Sequence, residues 1–118
     1  MARTGSGSNA RSRPRASSRR RSAALDMDML SRAARNLRVM AHPVRIKMIE
    51  LLLAKPVPVG ELAESVDLPA AAVSQHLNIM RAQGIVRARR EGRQVFYEVI
   101  APQAHALIDC LIANRDRI

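Results

Sequence analysis

The stretch over residues 60–84, GELAESVDLPAAAVSQHLNIMRAQG, constrains the chain more than any other. Leu62, Ala63 and Val66 form one apolar stripe at helical spacing, and Val73, Leu77 and Met80 form a second after an interruption at Asp67-Leu68-Pro69. Pro69 cannot continue the first helix and suits the opening of the second, where a missing N–H costs little. The spacing therefore predicts two short helices joined by a tight turn. At about 100° per residue along the second helix, Ala71, Ser74, Asn78 and Arg81 project within roughly one quadrant, flanked by Gln75 and Ala70. A small, polar outer face over a buried stripe is the shape that enters a DNA major groove.

Charge favours a nucleic-acid partner over a general polyanion surface. The 118 residues carry a formal net charge of +10, and seven of the arginines (Arg3, Arg11, Arg13, Arg15, Arg19, Arg20, Arg21) fall within residues 1–24 with no acid among them. That segment is rich in Arg, Ser, Gly and Ala without apolar periodicity, so ordering it would not repay the entropy lost, and it is expected to be a disordered basic arm. It reads as an arm that follows DNA phosphates; a solubilising leader, a start codon placed too early and a transit sequence are the competing readings. Residues 25–118 are then expected to form one domain. A single cysteine and the lack of a long apolar run leave no internal disulfide, transmembrane helix or secretory core, which points to a cytoplasmic protein.

Outside the central stretch the elements follow from punctuation. Leu30, Ala33, Ala34, Leu37 and Met40 recur at helical spacing and predict a first helix ending near Ala41. His42 precedes proline and belongs at an N-cap, and Pro43 opens a second, apolar helix. Lys55-Pro56-Val57-Pro58-Val59 breaks it and suits a short extended edge piece. Two β-rich runs flank Glu91-Gly92-Arg93, with Val95, Tyr97 and Val99 alternating against Gln94, Phe96 and Glu98 as in a half-buried strand. Arg87, Arg89, Arg90 and Arg93 cluster toward the tip of that hairpin and offer a second phosphate contact. Pro102 opens a last helix bearing Leu107, Ile108, Leu111 and Ile112. The first and last helices carry more apolar stripe than one small domain buries, which predicts a homodimer built from residues 25–41 and 102–116.

Four linked segments resemble the ArsR/SmtB winged-helix transcriptional regulators: His42-Pro43-Val44-Arg45-Ile46, Gly60-Glu61-Leu62-Ala63, Val73-Ser74-Gln75-His76-Leu77 and Arg90-Glu91-Gly92-Arg93-Gln94-Val95-Phe96-Tyr97. The resemblance spans roughly residues 30–112. It implies a mainly α fold with a small β-hairpin, a winged helix-turn-helix that dimerises through its terminal helices, and a repressor that binds double-stranded DNA at an inverted-repeat operator. Many members carry a Cys-x-Cys metal site at the start of the third helix, where this chain has Val57-Pro58-Val59. The metal site of other members on the last helix is matched only by His105 and Asp109 at i, i+4, beside Cys110. Two such residues per protomer could give four ligands, whereas a solvated helix face is the plainer account, and no metal or cofactor is assigned.

The expected DNA contacts are Ala71, Ser74, Gln75, Asn78 and Arg81 on the reading helix and Arg87, Arg89, Arg90 and Arg93 on the wing. Alanines at 70–72 leave apolar contact with thymine methyls where relatives tend to place Gln, Ser or Thr. His76 lies near the buried stripe and is expected to be a hydrogen-bonded structural histidine. Cys110, about 60° from Leu107 around the helix, is expected to be a small buried side chain, with an inter-subunit bond as the alternative. No nucleophile–base pair, glycine-rich phosphate loop or supported carboxylate pair points to an enzyme. An RNA- or nonspecific nucleic-acid-binding protein driven by the arginine arm is the competing class, but Phe96 and Tyr97 are the only aromatic residues of the Phe, Trp and Tyr type.

Overall fold

The computed structural model describes residues 24–118, so the arm expected over 1–24 lies outside the described residues save for Ala24. The order is α1 (Met27–Met40), α2 (Pro43–Ala54), β1 (Val57–Pro58), α3 (Val59–Val66), α4 (Ala70–Ala82), β2 (Val86–Glu91), β3 (Gln94–Val99) and α5 (Pro102–Ala113), closed by a 3₁₀ turn at Arg115–Arg117. The described residues are mainly helical with one small sheet, as the residue pattern predicts. None of their helices is long and apolar enough to cross a membrane.

Local chemistry sets the boundaries. Asp26 starts α1, its carboxylate accepting the Met29 N–H at 2.8 Å. His42 caps α2 in extended geometry (φ −147°, ψ 126°), and its Nδ1 accepts the Val44 N–H at 3.2 Å. Pro43 then occupies the first turn, where its fixed φ suits the helix and its missing N–H would have had no partner. Pro69, expected within the opening of the reading helix, instead stands just ahead of it as the N-cap of α4 (φ −61°, ψ 146°). Its extended ψ turns the chain, and its carbonyl accepts the N–H groups of Ala72 and Val73.

Residues Ala33–Ile118 form one compact unit. Its core holds Met40, Met48, Ile49, Leu62, Val73, Leu77, Met80, Ile85 and Val86, all essentially inaccessible to solvent, with Leu52, Ala101, Ala104 and Ile108 around them. Every helix of the unit thus sends at least one side chain inward. The sheet is antiparallel with order β1-β3-β2. β1 is the expected edge piece, pairing Val57 with Tyr97 and Pro58 with Phe96. A proline is tolerated there because one side of an edge strand needs no ladder hydrogen bond.

Residues 95–99 of β3 are half-buried on both faces, where simple alternation was expected. The cause is the central position of β3 in the sheet together with a side-chain cover on its outward face. Arg89 lies 6.0 Å from the Phe96 ring centroid, and both Arg87 and Arg89 pair with Glu98.

Candidate nucleic-acid interface

The helix-turn-helix is α3, a three-residue turn and α4. The turn depends on Asp67, which adopts the left-handed conformation (φ 55°, ψ 51°) rarely taken by side-chain-bearing residues other than Asn and Asp. There its N–H donates to the Glu64 carbonyl at 3.3 Å, and the Leu68 N–H donates to Ala63 at 3.1 Å. Two carbonyls orphaned at the end of α3 are thereby satisfied, and Leu68 folds back against the core.

Val73, Leu77 and Met80 are each 0 % exposed, so α4 is anchored along its whole length. On the opposite side Ala71, Gln75, Asn78 and Arg81 are exposed and Ser74 is half-buried. Arg81 reaches Asn78 through a weak 3.5 Å hydrogen bond, and no ion pair among the described residues occupies it. This face has donors and acceptors free to bond outward. Residue patterning missed Ile79, which is 38 % exposed and lies about 40° around the helix from Gln75. An apolar side chain with that accessibility beside hydrogen-bonding groups suits a thymine methyl, the role expected of the alanines at 70–72.

The reading helix passes into the wing over Gln83, Gly84 and Ile85. Gly84 takes a positive φ of 75°, the Ile85 N–H donates to Met80 at 2.9 Å, and the buried Ile85 side chain pins the junction. The Gln83 carbonyl also accepts from Asn36 Nδ2 of α1, and Asn36 Oδ1 accepts from Gln103 of α5 at 2.9 Å. The hairpin turns on Gly92 (φ 63°) and Arg93, with Glu91 opposite Gln94.

The four wing arginines do not form the single cluster that the sequence suggests. Strand alternation places Arg87 and Arg89 on the outer face, where Arg87 pairs with Glu98, and Arg89 with Glu91 and, at 3.7 Å, with Glu98. Arg90 falls on the other face, and Arg93 sits in the turn. Both are exposed, and neither enters an ion pair with a described residue. Free positive charge is therefore concentrated on Arg90 and Arg93, while Arg87 and Arg89 are paired with the carboxylates of Glu98 and Glu91.

The remaining candidates separate cleanly. His76 is a hydrogen-bonded histidine beside the core, its Nδ1 accepting from Arg45 Nε at 3.2 Å. Burial first, and then the neighbouring Arg45 and His42, hold it below the ordinary histidine value. Cys110, expected to be buried, is exposed. Its angle around α5 lies near the apolar stripe, but no element of the described residues covers that flank. His105 and Asp109 are exposed as well, and among the described residues no three His, Cys, Asp or Glu side chains gather as metal ligands.

The chain matches the sequence model described as "Bacterial regulatory protein, arsR family" over residues 42–88, from the cap of α2 into β2. It is 40% identical over 72 residues to Rv0081, an uncharacterized HTH-type transcriptional regulator of Mycobacterium tuberculosis, the match covering 60% of this chain and 63% of that relative. It is 37% identical over 93 residues to the HTH-type transcriptional repressor SmtB of the same organism, covering 77% of this chain and 69% of SmtB. Among solved structures, HlyU from Vibrio cholerae superposes with a TM-score of 0.67 at 32% identity, covering 77% of this chain and 96% of HlyU. A homodimeric winged helix-turn-helix DNA-binding domain, Mb0332 from Mycobacterium bovis, shares the fold at 23% identity and a TM-score of 0.68, covering 80% of this chain and 90% of that one. By the buried anchors of α4, the hairpin that follows it and these matches together, the chain belongs to the ArsR/SmtB family of winged-helix regulatory proteins.

Proposed function

We propose that the protein is a homodimeric, sequence-specific DNA-binding transcriptional regulator, acting as a repressor at an inverted-repeat operator. The observation that carries this reading is α4 itself: a helix fixed from beneath by three fully buried side chains, with Gln75, Asn78 and Arg81 open to solvent above. Base edges are read by Gln75, Ser74 and Asn78, with Ala71 and Ile79 against methyl groups, while Arg81, Arg90 and Arg93 meet phosphates. Arg87 and Arg89 contribute less, because Glu98 and Glu91 already hold them.

Residues 25–118 act as the DNA-binding and dimerisation domain, and the dimer forms through 25–41 and 102–116. Along α1 the large apolar side chains of Met27, Met29, Leu30 and Leu37 are open to solvent, as is Ile112 on α5, and an apolar helix face left open in this way supports a protein partner there. A symmetric pair of reading helices is what a palindromic site requires. DNA places the protein in the cytoplasm, the basic arm of residues 1–24 adds contacts to phosphates, and the position equivalent to the Cys-x-Cys metal site carries no thiolate. Of the named relatives, SmtB is a repressor, which supports repression here, whereas HlyU is a transcriptional activator.

Selection of duplexes from a random-sequence library, followed by fluorescence anisotropy on the winner and a shuffled control, tests the reading. The expected result is a palindromic winner bound by two protomers, with affinity falling about 0.9 log units per log unit of salt for each phosphate neutralised. Equal affinity for every duplex, or preference for single-stranded RNA in competition, overturns it.

A further inference from the structure

One polar cluster is unused by groove reading. Arg45 of α2 donates through Nε to His76 Nδ1 in the middle of α4 at 3.2 Å, and through Nη1 to the Val39 carbonyl at the end of α1 at 3.0 Å. His42, at the cap of α2, meets His76 edge-on with ring centroids 4.9 Å apart at 62°, its own Nδ1 engaged by the Val44 N–H. One guanidinium thus ties the reading helix to two others. The partners are 31 residues apart in sequence for Arg45 and His76.

The arrangement has a chemical condition attached. His76 Nδ1 can accept from Arg45 only while the ring is neutral, with its proton on Nε2; in imidazolium both nitrogens are donors. A guanidinium is a cation with no acceptor to offer in return. The groups facing His76 are the Arg45 guanidinium and the His42 ring from α2 and its cap, while its own-helix neighbours one turn away, Ala72, Val73, Ile79 and Met80, carry no charge. No ion pair to a carboxylate among the described residues relieves Arg45. A proton gained by His76 therefore replaces a hydrogen bond by two cations at contact distance.

We propose that Arg45 is a positioning residue that latches α4 through neutral His76, and that protonation of His76 opens the latch and weakens specific DNA binding in mild acid. The inference rests on the groove-reading function proposed above. The closed latch favours the neutral ring, in the same direction as burial, which is the first cause of the lowering of His76 from its ordinary value of 6.5, ahead of Arg45 and His42. Its contribution is complete above that value and is lost as pH falls through the lowered one.

The test compares wild type with His76→Asn and Arg45→Met on the duplex that wild type selects at pH 8, from pH 8 to 5.5 at constant ionic strength. Asn places Oδ1 where Nδ1 stands and accepts from Arg45 at every pH. Wild type is expected to lose affinity about three- to tenfold relative to His76→Asn across the range, the worth of one hydrogen bond. Arg45→Met is expected to bind more weakly throughout and to lack that pH-dependent difference. Parallel profiles for wild type and His76→Asn, with sequence preference intact, remove the latch and leave groove reading standing. Lack of sequence preference at pH 8 removes both. An NMR titration of wild type alone, which needs no variant to fold, is the second measurement. Protonation of the His76 ring below pH 6.5 with concurrent shifts of the α4 amides supports the latch, and unmoved α4 amides overturn it.

Discussion

Truncating Leu77 to alanine probes the anchor on which the reading helix depends. Leu77 is 0 % exposed and packs in the core with Val73 and Met80 from its own helix and Leu62 from α3. Three carbons leave a site that α3 and the sheet cannot fully close. At about 0.8 kcal/mol per buried methylene the transfer loss is roughly 2.4 kcal/mol. The residual cavity adds to it, and buried Leu→Ala changes fall at about 2.7–5 kcal/mol, so the expected cost is about 3 kcal/mol. With a urea slope of about 1–2 kcal/mol per molar, the unfolding midpoint moves down by about 1.5–3 M. The assay is equilibrium urea denaturation followed by circular dichroism at one fixed protomer concentration, since a dimer's apparent stability depends on it. Ile79→Ala on the same helix, 38% exposed, serves as control and is expected to cost under about 1 kcal/mol. A Leu77→Ala cost below about 1 kcal/mol, or equal costs at the two positions, refutes the placement of the buried and open faces of α4.

Three further outcomes follow from the interface geometry. Gln75→Ala should cost about 1–3 kcal/mol on the selected duplex and relax preference at one position of each half-site, read by anisotropy on single-base variants. Arg93→Ala should weaken binding uniformly across sequences and reduce the salt slope by about 0.9 per protomer, whereas Arg87→Ala should change it less, because Arg87 is already paired with Glu98. Gly92→Ala meets no neighbouring atom within 4 Å but must hold a φ of 63°, so a destabilisation of about 1 kcal/mol from backbone strain alone is expected in the same urea assay.

Much of the frame is legible in the residues because short-range chemistry sets it. His42-Pro43 announces a cap and a first turn, Glu91-Gly92-Arg93 a reversal, and the spacing of Val73, Leu77 and Met80 the inner side of α4. Each signal lies within a few residues of its consequence. The misses share the opposite character. Cys110 sits beside the stripe of α5, but burial depends on what lies across from it, which angle alone does not reveal. The pairing of Arg45 with His76 joins distant segments and leaves no local trace. Asp67 in the left-handed region carried only a faint signal, since aspartate there is permitted rather than demanded. The division of the wing arginines is legible in strand parity, which Arg87 and Arg89 share and Arg90 lacks, whereas proximity along the chain groups all four together.

The two residues of β1 have an effect out of proportion to their length. Val57 and Pro58 are stitched to the base of the wing through Tyr97 and Phe96, and Pro58 is at the same time the residue from which α3 departs. Hairpin and helix pair consequently share a pivot, like the two legs of a calliper whose joint has been set. The gap between wing tip and α4 is then a property of the fold rather than of the DNA. A site whose groove and flanking phosphates do not match that gap is expected to bend to fit or to bind more weakly.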